Sequence, residues 1–321
     1  MVVMVRREQM KIEDIDVSKK MEELDSHIVG SYKNGNYYVV IGEDGTKVRV
    51  TEASEFIPNR LESCDCKITN FCDMGCEFCF EKSTKQGEHA DLDDAVIDTF
   101  PPYTEVAIGG GNPLSHPQLE TFLKKLKDKK CFASITVNQV HFLRFEKMIT
   151  QLVNKKLIYG LGISISNMTE DLATEILKFP NAVCHVIAGI VTLDELRKMS
   201  NLGIKKVLFL GYKQFGRGKD YYSEEVKRNI VVLKENMQTV MQMFSIVSFD
   251  NRAINQLGIY DLLSKEEWEN FYMGDDGSFT MYIDLVEKKY AQSSTSTERF
   301  DFKDTINDMF LDIRKRKELS Q

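Results

Sequence analysis

The feature that most constrains the fold is a regular alternation of short apolar runs and amphipathic stretches, which begins near residue 65. Each run has the length of a buried strand, and each stretch between runs can form a helix. Strands separated by helices pair in parallel, because the helical crossover returns the chain to the same end of the sheet. Six runs follow this pattern, at 66–70, 104–109, 132–138, 157–166, 182–191 and 204–211. We therefore predict an α/β domain with a parallel sheet.

Signals for helix ends support this arrangement. Capping-box patterns run from Ser115 to Gln118, from Thr192 to Glu195 and from Ser264 to Glu267, and each predicts the first turn of a helix. Gly203 stands where a helix C-terminus is expected. A longer helix is predicted over 223–241, before a further strand at 244–249.

Two flanking segments do not follow the alternation. In the first, residues 36–41 and 46–50 enclose the turn Glu43-Asp44-Gly45, which is a hairpin signal. In the second, residues 278–292 have the pattern of a strand or hairpin, and 303–318 that of a terminal helix with a basic end. We expect three parts: an N-terminal extension with a β-hairpin over 1–62, the α/β domain over 63–250 and a C-terminal α+β extension over 251–321.

Three of the seven cysteines form a tight group directly after the first predicted strand. Cys72, Cys76 and Cys79 have the spacing C-x3-C-x2-C. Soft thiolates suit iron–sulfur clusters, and three of them leave one iron of a cubane cluster open to a small molecule. The run Gly109-Gly110-Gly111-Asn112-Pro113 ends the next strand. Ligands of open α/β sheets bind at the carboxyl ends of strands, so the two motifs predict one binding site.

The cysteine motif resembles that of the radical S-adenosylmethionine (radical SAM) superfamily. The resemblance includes Phe78 before the third cysteine and the lead-in Ile68-Thr69-Asn70-Phe71, and it covers about residues 63–250. It implies a partial (β/α)6 barrel in which Cys72, Cys76 and Cys79 hold a 4Fe-4S cluster. In that family SAM binds the open iron, and reductive cleavage gives a 5′-deoxyadenosyl radical that abstracts hydrogen from a substrate. An electron donor such as flavodoxin or ferredoxin and sensitivity to oxygen are implied as well.

The same resemblance suggests residues that contact SAM. Phe78 is expected near the adenine, and Gly110, Gly111, Asn112 and Pro113 match the family's G-G-E-P turn, which meets the SAM ammonium. Asn112 departs from that pattern, because an amide replaces the usual glutamate and brings no charge. By position alone, later strand ends add the further SAM-binding candidates Asn138, Ser164, Ser166 and Lys213.

Other residues leave alternatives open. Cys64 or Cys66 would complete a four-thiolate zinc site with the motif, although zinc sites usually pair two C-x2-C knuckles. The two cysteines are otherwise ligands of a second cluster, a hydrogen-atom donor or buried strand residues. His89 and His141 are candidate proton donors in the cavity or ordinary loop histidines.

Composition limits the class of protein. A formal net charge of -7 argues against an extended nucleic-acid surface. An apolar content of 42% in 321 residues is enough for a large core, and no run reaches the roughly 18 apolar residues of a membrane span. We therefore expect a soluble, cytoplasmic protein.

Three classes of function follow. Modification of a peptide or protein side chain is favoured, because the extra β elements could offer an edge to an extended peptide. A nucleotide or nucleoside substrate would instead use cations near the sixth strand as phosphate partners, and Phe78-Cys79-Phe80 resembles the motif of nucleotide-dehydrating radical SAM enzymes. Those cations are Lys205, Lys206, Lys213, Arg217 and Lys219. The third class is a non-enzymatic zinc or iron–sulfur interaction module.

Overall fold

The computed structural model describes residues 27–319, which contain thirteen strands in two sheets. The strands are β1 (Ile28–Asn34), β2 (Tyr37–Gly42), β3 (Lys47–Val50), β4 (Ser63–Thr69), β5 (Glu105–Gly110), β6 (Phe132–Asn138), β7 (Gly160–Ser164), β8 (Ala182–Ile187), β9 (Lys206–Leu210), β10 (Ile246–Phe249), β11 (Thr280–Asp284), β12 (Lys289–Ala291) and β13 (Phe300–Asp301). The larger sheet has the order β10-β9-β8-β7-β6-β5-β4-β11-β12-β13.

The six predicted strands are β4 to β9, and they pair in parallel as expected. The strand predicted at 244–249 is β10, which joins β9 in parallel. The C-terminal segment adds β11 in parallel to β4, followed by antiparallel β12 and β13. The strand that leads into the cysteine motif therefore lies inside the sheet. Within the described residues the sheet is open, with β10 and β13 at its edges, in agreement with a partial barrel.

The two faces of the parallel strands differ in burial. On β6 and β8 buried and partly exposed residues alternate, as expected when one face packs beneath helices and the other does not. We call the second face the inner face. It carries small and polar side chains in register on neighbouring strands: Asp65, Ala107, Ser134, Thr136, Asn138, Gly160, Gly162, Ser164 and His185. Such small side chains fill less of the volume above the sheet than Phe132, Val183 and Ile187, which lie on the same face.

Helices connect the parallel strands. They are α1 (Leu119–Asp128), α2 (Gln139–Arg144), α3 (Glu146–Asn154), α4 (Glu170–Ile176), α5 (Leu193–Asn201), α6 (Arg217–Tyr221), α7 (Glu224–Met241), α8 (Asn251–Leu257), α9 (Lys265–Phe271) and α10 (Ile306–Leu319). Ser264 forms the predicted capping box with Glu267, and Gly203 follows α5 with a positive φ of 85°. The box predicted at Ser115 is wrong, because Ser115 lies inside a short 3-10 turn and α1 begins at Leu119 without a side-chain cap.

The smaller sheet has the antiparallel order β1-β2-β3 and includes the predicted hairpin, β2 and β3. A buried charge network, here called the base network, joins it to the start of the larger sheet. Arg49 donates to both carboxylate oxygens of Glu62, at 2.9–3.1 Å, and Lys47 lies 3.4 Å from the same carboxylate. Lys47 also pairs with Glu105, so two cations balance two carboxylates.

Candidate functional site

The three motif cysteines lie in a loop at the carboxyl end of β4. Each has a free thiol and is partly buried. The loop is fixed at its start by backbone hydrogen bonds, in which Asn70 N–H donates to the Glu88 carbonyl and Cys72 N–H donates to that of Thr84, both at 2.8 Å. Burial raises the pKa of the Cys76 thiol, and the neighbouring thiols of Cys79 and Cys72 raise it further.

These thiols suit a cluster with one open iron. They come from one loop, they are partly shielded from water, and thiolates are the ligands that such clusters take. Across residues 27–319, no three Cys, His, Asp or Glu side chains are arranged to hold a metal ion as they stand, and this includes the three motif thiols. Cys64 and Cys66 are buried in the core on the other face of β4, so the fourth ligand of the zinc alternative is not assembled. The raised pKa of both thiols, caused first by burial, agrees with core residues.

Arg217 clamps the cysteine loop from the turn that follows β9. Its Nε donates to the Cys76 carbonyl at 2.9 Å, its two Nη atoms donate to the Ser83 carbonyl at 3.2 Å, and its backbone N–H donates to the Cys79 carbonyl at 3.0 Å. Gly216 permits this approach, because a Cβ there would lie 2.3 Å from the Phe80 carbonyl oxygen and its φ is +57°. The guanidinium that the nucleotide alternative assigns to a phosphate therefore holds the cysteine loop instead.

A second contact holds the loop from α2. His141 Nε2 lies 2.6 Å from Asp73 Oδ1, and Arg144 donates to the other oxygen of the same carboxylate. The hydrogen bonds from Arg144 and His141 lower the pKa of Asp73 to about 2. His141 is only 1% exposed, so it is a buried partner of the loop and does not face solvent.

The glycine-rich turn after β5 packs directly on the chain that enters the loop. Gly111 N–H donates to the Thr69 carbonyl at 2.7 Å, and a Cβ at Gly111 would lie 2.1 Å from the Phe71 carbonyl oxygen. Gly110 has a φ of +108°, and a Cβ there would lie 2.4 Å from the Thr69 carbonyl oxygen. These two glycines are required by contacts within the chain. Gly109 differs, because a Cβ there would have no heavy atom within 4 Å, so its side of the turn is open to a ligand.

Asn112 is fully buried and caps the 3-10 turn that follows it. Its Oδ1 accepts from the Leu114 N–H at 3.2 Å, and its Nδ2 donates to the Ser115 hydroxyl at 2.6 Å. Pro113 is the first residue of the same turn and is buried. The Asn112 side chain therefore stabilises the local turn. Its oxygen is buried and already accepts a hydrogen bond, so it is not exposed for the ammonium contact that the resemblance implied.

The remaining predicted residues lie at strand ends along the same edge. Phe78 is partly buried and meets Tyr221 edge-on, with ring centroids 5.8 Å apart. Asn138 and Ser164 are register partners on β6 and β7, and the Asn138 side chain caps α2 through the Val140 N–H at 2.8 Å. Ser166 is exposed, and its N–H donates to Gln139.

Lys213 joins the site to the C-terminal segment. Its Nζ donates to the Ser294 hydroxyl at 3.0 Å and lies 4.0 Å from the centroid of the Phe80 ring. Of the other predicted phosphate partners, Lys205 and Lys206 stand at the opposite end of β9, and Lys219 is exposed on α6. The five cations therefore do not converge on one cavity.

Two features were not predicted from the sequence: a second link between the site and the C-terminal segment, and a histidine on the inner face. Lys67 on β4 bridges Glu81 of the cysteine loop, at 3.2 Å, and Asp284 of β11, at 2.9 Å. His185 lies in register with Ser164, packs over Gly162, and has its pKa lowered to about 3 by burial, so it is neutral. The alternation of β8, in which His185 falls between core residues, could have placed it on the inner face.

His89 lies beside Thr69, the last residue of β4 before the cysteine loop. Its Nδ1 is 2.8 Å from the Thr69 hydroxyl. Its ring meets the His116 ring edge-on, with ring centroids 4.8 Å apart. The side chain is exposed to solvent, and partial burial lowers its pKa.

Comparison with known proteins identifies the fold. No protein-family model and no curated protein match this chain. Solved structures of SuiB from Streptococcus suis are similar to it. The SAM-bound SuiB structure has 13% identity and a TM-score of 0.55, and covers 79% of this chain and 64% of SuiB. The complex of SuiB with the precursor peptide SuiA also has 13% identity and a TM-score of 0.55. That match covers 93% of this chain and 77% of SuiB. SuiB alone has 14% identity and a TM-score of 0.51, and covers 81% and 69%.

This chain shares the fold of SuiB. The prediction of a partial barrel with its first strand leading into the cysteine motif is thus confirmed at the level of the fold. The chain spans 64% of the length of SuiB in the SAM complex. No helix within the described residues is long and apolar enough to cross a membrane.

Proposed function

We propose that this chain is a radical SAM enzyme that holds a 4Fe-4S cluster with Cys72, Cys76 and Cys79. One observation carries the proposal: the C-x3-C-x2-C loop stands at the carboxyl end of the first parallel strand of a SuiB-like sheet. SAM would bind across the neighbouring strand ends, with the open side of Gly109 as the point of close approach.

The bound cluster would supply the electron that cleaves SAM and so generates the hydrogen-abstracting radical. The chain itself orients the cluster-binding thiols and encloses the site. Arg217 holds the loop from one side and His141, through Asp73, from the other, which fixes the three thiols relative to the strand ends. The inner face provides Ser164 and the neutral His185 as hydrogen-bonding groups for SAM or substrate. Phe78, Gly110, Gly111, Pro113, Asn138, Ser166 and Lys213 keep their predicted places at the SAM site as proposals, whereas Asn112 is proposed there only as the residue whose side chain shapes the turn.

We further propose a peptide as the substrate. SuiB has been solved with its precursor peptide, and that complex covers 93% of this chain. The nucleotide alternative depended on a cluster of cations near β9, of which Arg217 binds carbonyl groups and Lys205 and Lys206 lie at the far strand end. An external reductant of the flavodoxin or ferredoxin type is part of the proposal.

The test is anaerobic. The protein is reconstituted with iron and sulfide, reduced, mixed with SAM and assayed for 5′-deoxyadenosine, with Cys76→Ala as the control. We expect 5′-deoxyadenosine from the intact protein alone. Tightly held zinc with no SAM cleavage would overturn the proposal. A peptide substrate is then tested by the rise in 5′-deoxyadenosine when candidate peptides or nucleotides are added separately.

A further inference from the structure

A shallow recess beside α8 and α9 is lined by aromatic rings and carboxylates that the proposed function does not use. Its volume is about 410 Å³. The lining residues are Asn251, Ile254, Asn255, Gly258, Tyr260, Asp261, Trp268, Tyr272 and Asp275. Asn251 begins α8 directly after β10, so the recess opens at the same edge of the sheet as the cysteine loop.

The aromatic residues are not core residues. α9 carries Trp268 and Phe271 but buries no residue at all. Trp268 stacks on Tyr272 with ring centroids 4.2 Å apart, and Tyr260 meets it edge-on at 4.9 Å. Tyr260 is 60% exposed. A cluster of three rings, of which Tyr260 is exposed and Trp268 and Tyr272 are half-buried, is costly to leave uncovered, and Trp and Tyr are the residues that most often anchor a binding partner.

The charge around the rings is negative. Residues 251–276 contain six carboxylates and two cationic side chains. Two of the carboxylates, Asp261 and Asp275, line the recess, and no cationic side chain lines it in the described part of the chain. Asp275 accepts from the Tyr272 hydroxyl, and Lys317 lies 3.6 Å from its other oxygen. Asp261 Oδ2 and Lys234 Nζ lie 3.6 and 3.1 Å from the point where a Cβ of Gly258 would stand, so Lys234 approaches the edge of the recess near Asp261.

We propose that this recess binds an arginine or lysine side chain of a peptide and so anchors the peptide beside the strand ends. Aromatic faces attract cations, and a neighbouring carboxylate adds an ion pair at a site that excludes part of the water. A neutral or acidic side chain would gain neither interaction. The proposal rests on the proposed function only in identifying the peptide as the substrate, because binding at the recess requires neither cluster nor SAM.

The test uses the full chain and its own fluorescence. Trp268 is the single tryptophan, so all tryptophan emission reports on the recess. The probes are blocked glycine peptides that carry one arginine, or one citrulline as the neutral isostere. We expect a saturable change in emission with the arginine peptide and binding about tenfold weaker with citrulline. Equal responses, or none, would overturn the proposal. A change in emission on simple dilution of the protein would indicate a second copy of this chain as the occupant and would also overturn it.

Two variants locate the effect. Asp261→Asn removes the carboxylate and keeps its size, and we expect it to weaken arginine binding several-fold while citrulline binding stays unchanged. Glu266→Gln is the matched control, because it removes an exposed carboxylate of α9 that does not line the recess. An equal loss in both variants would mean general charge attraction and would contradict a specific recess. Failure of SAM cleavage with intact arginine binding would count against the proposed function alone.

Discussion

At the scale of single residues, the cysteine loop depends on one arginine. We expect Arg217→Met to weaken retention of a reconstituted cluster by about tenfold, because charge-assisted hydrogen bonds contribute roughly 1.5–3 kcal/mol each. The backbone hydrogen bond to Cys79 would remain, so the fold should persist. Iron and sulfide content after gel filtration measures the effect, and Lys219→Met on the exposed side of the same turn is the control. Equal metal content in the two variants would contradict this role.

Gly111 and Gly109 belong to one turn but have different roles. Gly111 is needed for packing within the chain, whereas Gly109 borders open space that a ligand could fill. Gly111→Ala should destabilise the protein by about 3 kcal/mol, because the new Cβ would meet the Phe71 carbonyl and force the backbone apart. Gly109→Ala meets no atom and should leave the free energy of unfolding nearly unchanged. Urea denaturation compares the two, and equilibrium dialysis with SAM tests whether Gly109→Ala alone weakens binding. A destabilised Gly109→Ala protein would contradict the open space.

The residues that the sequence could identify are those of a local motif. The cysteine spacing lies within eight positions, so it can be read directly. The role of Arg217 could not be predicted, because its partner Cys76 is 141 positions away and the contact is to a backbone carbonyl, which carries no side-chain signal. His141 was noticed but not paired, since only the fold brings α2 against Asp73.

At the scale of elements, one carboxylate of α10 adds a hydrogen bond to the sheet beside the helix's buried apolar face. Asp312 accepts from the Tyr290 hydroxyl of β12 at 2.8 Å and from Arg316 and Lys303. Although burial opposes it, these hydrogen bonds lower the pKa of Asp312 to about 2. A carboxyl group whose pKa is lowered by folding stabilises the protein above its ordinary pKa and ceases to do so as the pH falls through the folded value.

We therefore expect wild-type protein to lose roughly 2 kcal/mol more than Asp312→Asn between neutral pH and about pH 2. Urea unfolding at a series of pH values measures the difference. Glu318→Gln, which removes an exposed carboxylate of the same helix, should keep the wild-type slope. An identical slope in Asp312→Asn would contradict the assignment.

The elements were predicted well where the pattern was periodic. β4 to β9 follow alternation of apolar runs, and the capping box at Ser264 has its two side chains in place. The capping box predicted from Ser115 to Gln118 does not form. Asn112 caps the 3-10 turn that contains Ser115, and the Gln118 N–H donates to His116 Nδ1 instead of to Ser115. The pairing of β11 with β4 joins strands more than 200 positions apart, and no local pattern encodes it.

At the scale of the whole molecule, the base network joins the two sheets. Glu62→Gln would leave Arg49 and Lys47 buried with one carboxylate between them, so we expect a loss of about 3–5 kcal/mol in the free energy of unfolding. Calorimetry should still show a single transition at lower temperature. Glu43→Gln removes a solvent-exposed pair with Lys156 at 3.9 Å and should change stability by less than about 0.5 kcal/mol. A similar small effect of Glu62→Gln would show that the sheets do not depend on this network.

The small side chains of the inner face have a consequence for how such a protein diversifies. Ala107, Ser134, Gly160 and Gly162 lie on neighbouring strands, away from the cysteine loop. Enlarging Ala107 or Ser134 narrows the space over the inner face without touching the loop, whereas a Cβ at Gly162 would first displace His185 and one at Gly160 would press on Ser134. Selection among substrates of different bulk can therefore proceed by single substitutions on the strands, while the machinery at their ends stays as it is.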